Sequence, residues 1–203
     1  MMTLNDRQPI IVADAGPLIR LAAAGLLDSM RGLNRRIVLV DCVEDEVVRD
    51  LSKPFAKEIK QWFVVMGDAI VREPTIIGRG IEALRNDEQT AEVQKLLKHA
   101  LRNSGELALR EFVDGWQPTE TSSAIVLFED QKVGHLFNYF EYPVTLMTTR
   151  KFAQVIAEWG VNVDAVAELE KISKEFHMYP PMISVIDPDV PGDMRLLPQP
   201  DKP

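Results

Sequence analysis

Apolar residues fall along the chain in two alternating patterns. Short, mostly apolar runs occupy 10 to 13, 37 to 40, 69 to 72, 124 to 128 and 144 to 147, the length of buried strands. Between them, apolar residues recur every three or four positions, as they do on a helix with one buried face. After the first run, Leu18, Leu21, Ala22, Leu26 and Leu27 follow that spacing, with Gly25 as a break between two short helices. A helix is predicted from 43 to 51, and Pro54 opens another that turns Ile59, Trp62 and Phe63 inward.

The long connection before the fourth strand has room for two or three helices. Its middle one, about 87 to 103, sets Val93, Leu96, Leu97, Ala100 and Leu101 on one side and Lys95, Lys98, His99 and Arg102 on the other. That basic face reads either as a contact for RNA or a partner, or as the solvated side of an amphipathic helix. Helices are also predicted over 148 to 159 and 164 to 176. Beyond His177 the character changes, because seven of the thirteen prolines lie between Pro180 and Pro203. Strands alternating with helices predict an α/β fold: a three-layer α/β/α sandwich on a central parallel sheet, with a C-terminal helical extension and a Pro-rich tail.

Composition narrows the class. A length of 203 residues, 46% hydrophobic and 27% charged, fits one soluble globular domain with an appendage. The single cysteine, Cys42, allows no disulfide within the chain, and no Cys/His cluster has zinc-ligand spacing. The N-terminus lacks a basic signal-like segment, and Asp14, Pro17 and Arg20 interrupt the first apolar stretch, so a cytoplasmic protein without a membrane span is expected. A formal net charge of -8 argues against nonspecific coating of nucleic acid, which needs many Lys/Arg contacts to phosphate. It is compatible with carboxylates that hold cations.

The candidate chemistry lies in acids at the ends of strands and the starts of helices. Asp14 ends the first strand before Gly16-Pro17, where open α/β sheets bind ligands; it also fits as the N-cap of the following helix. In the helix after the second strand, Val43, Val47 and Leu51 share the buried side. Glu46 adjoins that stripe and could point to the strand ends, whereas Glu44 and Asp45 are expected to face water. Glu106 follows Ser104-Gly105 at a helix start, where the helix dipole alone would favour an acid. The fourth strand ends on Glu129-Asp130, repeating the arrangement at Asp14.

The string Asp14-Ala15-Gly16-Pro17-Leu18-Ile19-Arg20-Leu21, the acid Glu46, the Gly105-Glu106 helix start and the Glu129-Asp130 strand end together resemble a PIN-domain ribonuclease. They are most similar to the VapC-like toxin branch, with its Asp-x-x-Pro-Leu-Ile opening and Gly-Glu third motif. The likeness covers residues 8 to 160, leaving 161 to 176 as a helical extension and 177 to 203 as the tail. It implies a catalytic set of Asp14, Glu46, Glu106 and Asp130 around one or two Mg²⁺ or Mn²⁺ ions, with Glu129 as alternate or auxiliary metal ligand. It further implies that Thr149, where the branch commonly has Gly-Thr, touches substrate phosphate or a metal-bound water. RNA as substrate, an antitoxin protein as partner and a homodimer follow from the same likeness. The chain departs from the branch at Gly134, where relatives often carry Arg, and in its extra helix and tail.

Such a set suits phosphodiester hydrolysis. The substrate is anionic and resists hydroxide, so charge must be neutralised and a water activated, which hard divalent ions held by oxygen ligands do. A noncatalytic PIN scaffold that binds RNA or a protein partner is the alternative. Phosphoaspartate chemistry is disfavoured, because Gly16 stands where a dehalogenase-type site needs its second Asp. Gly78-Arg79-Gly80 lacks the third glycine of a dinucleotide fingerprint, and there is no P-loop or nucleophile elbow. His99, His135 and His177 share no evident site. Trp62, Phe63, Phe137 and Phe140 read as core or interface.

Overall fold

The computed structural model describes residues 10–33, 35–87, 90–116, 123–129 and 144–175. Asp130, Gly134, His135, Phe137, Phe140, His177 and the Pro-rich tail, all singled out above, lie outside them. The described residues form an α/β structure with five strands: β1 (Ile10–Ala13), β2 (Arg36–Val40), β3 (Ile70–Glu73), β4 (Ala124–Phe128) and β5 (Val144–Thr148). All neighbours pair in parallel, in the order β3-β2-β1-β4-β5.

Every residue of β1 is 5% exposed or less. Successive strand side chains point to opposite faces, so the sheet must be covered on both, consistent with a three-layer α/β/α sandwich. The cover comes from nine helices among the described residues: α1 (Ala15–Ala23), α2 (Leu27–Gly32), α3 (Asp41–Val48), α4 (Ala56–Met66), α5 (Ile76–Asn86), α6 (Ala91–Ala100), α7 (Ser104–Gly115), α8 (Thr149–Glu158) and α9 (Ala165–Glu175). Gly25, at a φ of 67°, makes the predicted break between α1 and α2. Through Ala165 and Leu169, α9 is part of the same hydrophobic core as the sheet.

Several expectations are corrected in detail. Helix α3 starts at Asp41 and ends at Val48, short of Leu51, which is half-buried in the turn that follows. The middle helix of the long connection is trimmed at both ends: Thr90 caps it by accepting from the Val93 amide, and it stops at Ala100. Leu96 is 56% exposed, because α6 packs on α5 along a narrow edge and buries none of its residues fully. Lys95, Lys98, His99 and Arg102 are exposed, as either reading of that face requires. Glu44 and Asp45 are half-buried and paired with arginines instead of facing water: Glu44 with Arg72 at 3.1 Å, and Asp45 with Arg85. Trp62 and Phe63 are core residues, and Trp62 donates from Nε1 to Asp28 Oδ1 at 3.1 Å.

The start of α3 is tied to the start of α5 by Asp41. Its carboxylate accepts from the Thr75 amide (2.9 Å), the Thr75 hydroxyl (2.7 Å) and the Cys42 amide (2.8 Å). Gly78 passes so close that a Cβ there would collide with this carboxylate, and three hydrogen bonds keep the carboxylate from retreating. Gly78→Ala is therefore expected to destabilise the fold by about 1–3 kcal/mol, read as a lower urea midpoint with an unchanged slope. An unchanged midpoint would show that Asp41 is free to move.

Candidate active site

The chain runs from β1 to β3 toward one edge of the sheet, then returns to place β4 and β5 on the other side of β1. The reversal leaves a crevice at the carboxyl ends of β1 and β4, where open α/β sheets bind ligands. Asp14 stands there. Its amide donates to Leu127 O at 3.0 Å, which fixes the first residue after β1 to the end of β4. Asp14 takes the N-cap position of α1, yet its side chain makes no capping hydrogen bond. The N-cap role weighed for this acid is thus not one its carboxylate fills.

Three of the predicted acids share one cleft of about 310 Å³: Asp14 from the end of β1, Glu46 from α3 and Glu106 from the first turn of α7. Gly105 lies beside two of them. A Cβ added to Gly105 would lie 3.0 Å from Glu46 Oε2, 3.5 Å from Asp14 Oδ1 and 3.5 Å from Val43 Cγ2. A side chain there would press on Glu46 and come into ordinary contact with Asp14. Asn103 precedes α7 in the left-handed region, at a φ of 56°, and turns the chain so that Ser104 and Gly105 are buried against α3.

Much of Glu46 is open to solvent, but its carboxyl end is crowded, and burial pushes its pKa up. Lys53 and Arg49 pull it back down, and Asp45 adds to the rise. Cys42 is buried at the cleft wall, and burial with the Asp41 charge raises its thiol to about 11. It is a thiol at neutral pH and a poor nucleophile.

Glu129 and Thr149 are placed differently from the other predicted residues. Glu129 Oε2 accepts from Arg20 Nη1 at 2.8 Å, and the two side chains are 11% and 4% exposed. Its stem packs on Gly16, outside the cleft lining. Thr149 is fully buried, so it does not line the cleft either. Burial raises the Glu129 pKa, opposed by the Thr149 hydroxyl, by Arg20 and by the Thr149 backbone. Thr149 Oγ1 and Glu129 Oε1 are both buried without a hydrogen-bond partner among the described residues. The neighbouring Thr148 hydroxyl caps α8 by accepting from the Lys151 amide at 3.2 Å.

The cleft brings together carboxylates from three distant segments, the donor type that hard divalent ions take. Among the described residues, no group of three or more Asp, Glu, His or Cys side chains is close enough to hold a metal by itself. Asp130, the fourth acid of the predicted set, lies outside the described residues. Sequence reasoning missed Asp45, Arg49, Lys53 and Asn103, which also line the cleft. For Arg49 a signal existed, since it follows Glu46 by three positions on the α3 register. Nothing in the sequence brings Lys53 there.

Two stability predictions follow from these environments. Glu46 binds its proton more tightly in the folded chain than in the unfolded one, so it costs stability once the pH exceeds the ordinary carboxylate range. Glu46→Gln is expected to raise the Tm by a few degrees near pH 8 and to leave it unchanged near pH 3; equal Tm values at both would remove the inferred shift. Arg20→Met leaves the Glu129 charge buried without its partner and is expected to cost about 3–5 kcal/mol at neutral pH. The loss should shrink as acid protonates Glu129. A loss that does not depend on pH would assign the effect to packing.

Comparison of the chain with family models, with curated proteins and with solved structures found no match.

Proposed function

We propose that the protein is a metal-dependent endoribonuclease of the PIN type. One observation carries the reading: Asp14, Glu46 and Glu106, from elements far apart in the chain, open onto one cleft at the carboxyl edge of a parallel sheet. Two carboxylates about 4 Å apart repel by roughly 4 kcal/mol at an effective dielectric near 20, so a fold gains nothing by gathering them unless a cation or proton joins them. Asp14 and Glu46 would contribute carboxylate oxygens to a Mg²⁺ or Mn²⁺ site that Glu106 approaches, with Asp130 as the fourth acid of the set. When bound, such an ion neutralises phosphate charge and lowers the pKa of a coordinated water.

The chain's own contribution is placement. The Asp14 amide bond to β4 fixes one carboxylate, and the α3–α7 contact at Gly105 fixes the second. Hydrolysis by water in line with the departing 3′-oxygen leaves 5′-phosphate and 3′-hydroxyl ends. Asp14→Asn keeps the shape and removes the charge. It is expected to lower Mn²⁺-dependent RNA cleavage at least about 100-fold while leaving the Tm near or above that of the parent. Undiminished cleavage would remove Asp14 from the mechanism.

A noncatalytic RNA- or protein-binding role is favoured by a different observation: Glu129 is already balanced by Arg20 and so has one oxygen engaged. Calorimetric titration with Mn²⁺ beside a cleavage assay separates the two. Metal binding without turnover supports the scaffold, and turnover supports the nuclease.

A further inference from the structure

The cleft is not uniformly acidic. Arg49, at the end of α3, and Lys53, in the turn before α4, line the same cavity as the three acids. We infer that Arg49 and Lys53 form a phosphate grip that seats the backbone of a single RNA strand beside the acid cluster. The inference rests on the nuclease reading of this cleft and names residues that position its substrate.

Charge pairing around Arg49 supports the assignment. Asp45 is held by Arg85 through two contacts, Nη1 to Oδ1 at 3.1 Å and Nη2 to Oδ2 at 2.5 Å. Arg49 reaches the same carboxylate by one contact of 3.3 Å, with its side chain 46% exposed. One carboxylate thus serves two guanidiniums, and the bidentate partner satisfies both of its oxygens. The Arg49 contact is the exposed, single-point kind that adds little stability, so an arriving anion displaces it at small cost. Lys53 is exposed and makes no ion pair within 4.0 Å among the described residues.

The chemistry of the substrate gives this pair a purpose. RNA carries a negative charge at every nucleotide, whereas the chain has a net charge of -8 and an acid cluster in the cleft. Only a phosphate neutralised by metal is welcome at the acids, and its neighbours along the strand need cations of their own. Arg49 and Lys53 supply positive charge on the cavity wall that also carries Glu46. The basic residues of α6 face solvent and do not line this cavity.

The test is fluorescence anisotropy of a labelled single-stranded oligouridylate across a salt series in Ca²⁺, with the probe checked for intactness on a gel. Arg49→Gln/Lys53→Gln is expected to raise Kd roughly tenfold and to lower the salt slope by about 0.7 for each phosphate contact removed. Lys95→Gln/Lys98→Gln changes the net charge equally from the exposed face of α6 and should leave both quantities near the parent's. Parent-like binding by the Arg49/Lys53 variant, equal weakening by both variants, or a parent that does not bind the probe would each overturn the grip. Lys53→Gln alone, at an exposed position, repeats the test if the double variant fails to fold. Cleavage in Mn²⁺ is scored separately. A parent that binds through Arg49 and Lys53 but never cuts keeps the grip and ends the nuclease reading; a parent that cuts while the variant binds normally does the reverse.

Discussion

The parallel pairing of β1 with β4 is the constraint on which the site depends. Had the chain continued past β3 in one direction, β1 would be an edge strand with no neighbour on its other side to form a crevice. Because the order reverses at β1, its carboxyl end faces open space, and the hydrogen bond from the Asp14 amide to Leu127 O holds the first residue beyond the strand in that opening. The strands beneath are buried on both faces and leave the edge little freedom to shift.

On this frame, close packing gathers like charges that would otherwise stay apart. At Gly105 α7 meets α3, and the Glu46 and Asp14 oxygens both come within 3.5 Å of where a Cβ would stand. The response differs between the acids. Glu46 is crowded by burial and partly relieved by Lys53 and Arg49, which leaves it a raised pKa. Glu129, one strand away, is matched by a buried guanidinium from α1. One acid is thus matched by a buried guanidinium, while another shares an open cleft with two further acids and with Arg49 and Lys53.

Most of the architecture was legible because its signal is local. Apolar runs marked all five strands to within a residue at either end, and helical spacing found the helices around them. Helix ends were less legible, since they depend on partners distant in sequence: α3 begins early because Asp41 is tied to Thr75, far along the chain. The exposure of Leu96 was hidden for a related reason. Periodicity shows that a helix has an apolar side but not how wide a surface its neighbour offers. Of the acids that share the cleft, Asp14 and Glu106 stood out at a strand end and a helix start and Glu46 beside the buried stripe of its helix, whereas the pairing of Glu129 with Arg20 and the arrival of Lys53 at the cleft are tertiary facts with no local trace.

The most direct measurement is a crystal structure of the unmodified protein grown in Mn²⁺, with anomalous differences locating the ion. A peak in the cleft, touched by carboxylate oxygens of Asp14 and Glu46 and approached by Glu106, is the result predicted. Ordered carboxylates around a cleft without a peak, or a peak only at unrelated surface acids, would contradict the central claim that these three segments fold together to hold a cation.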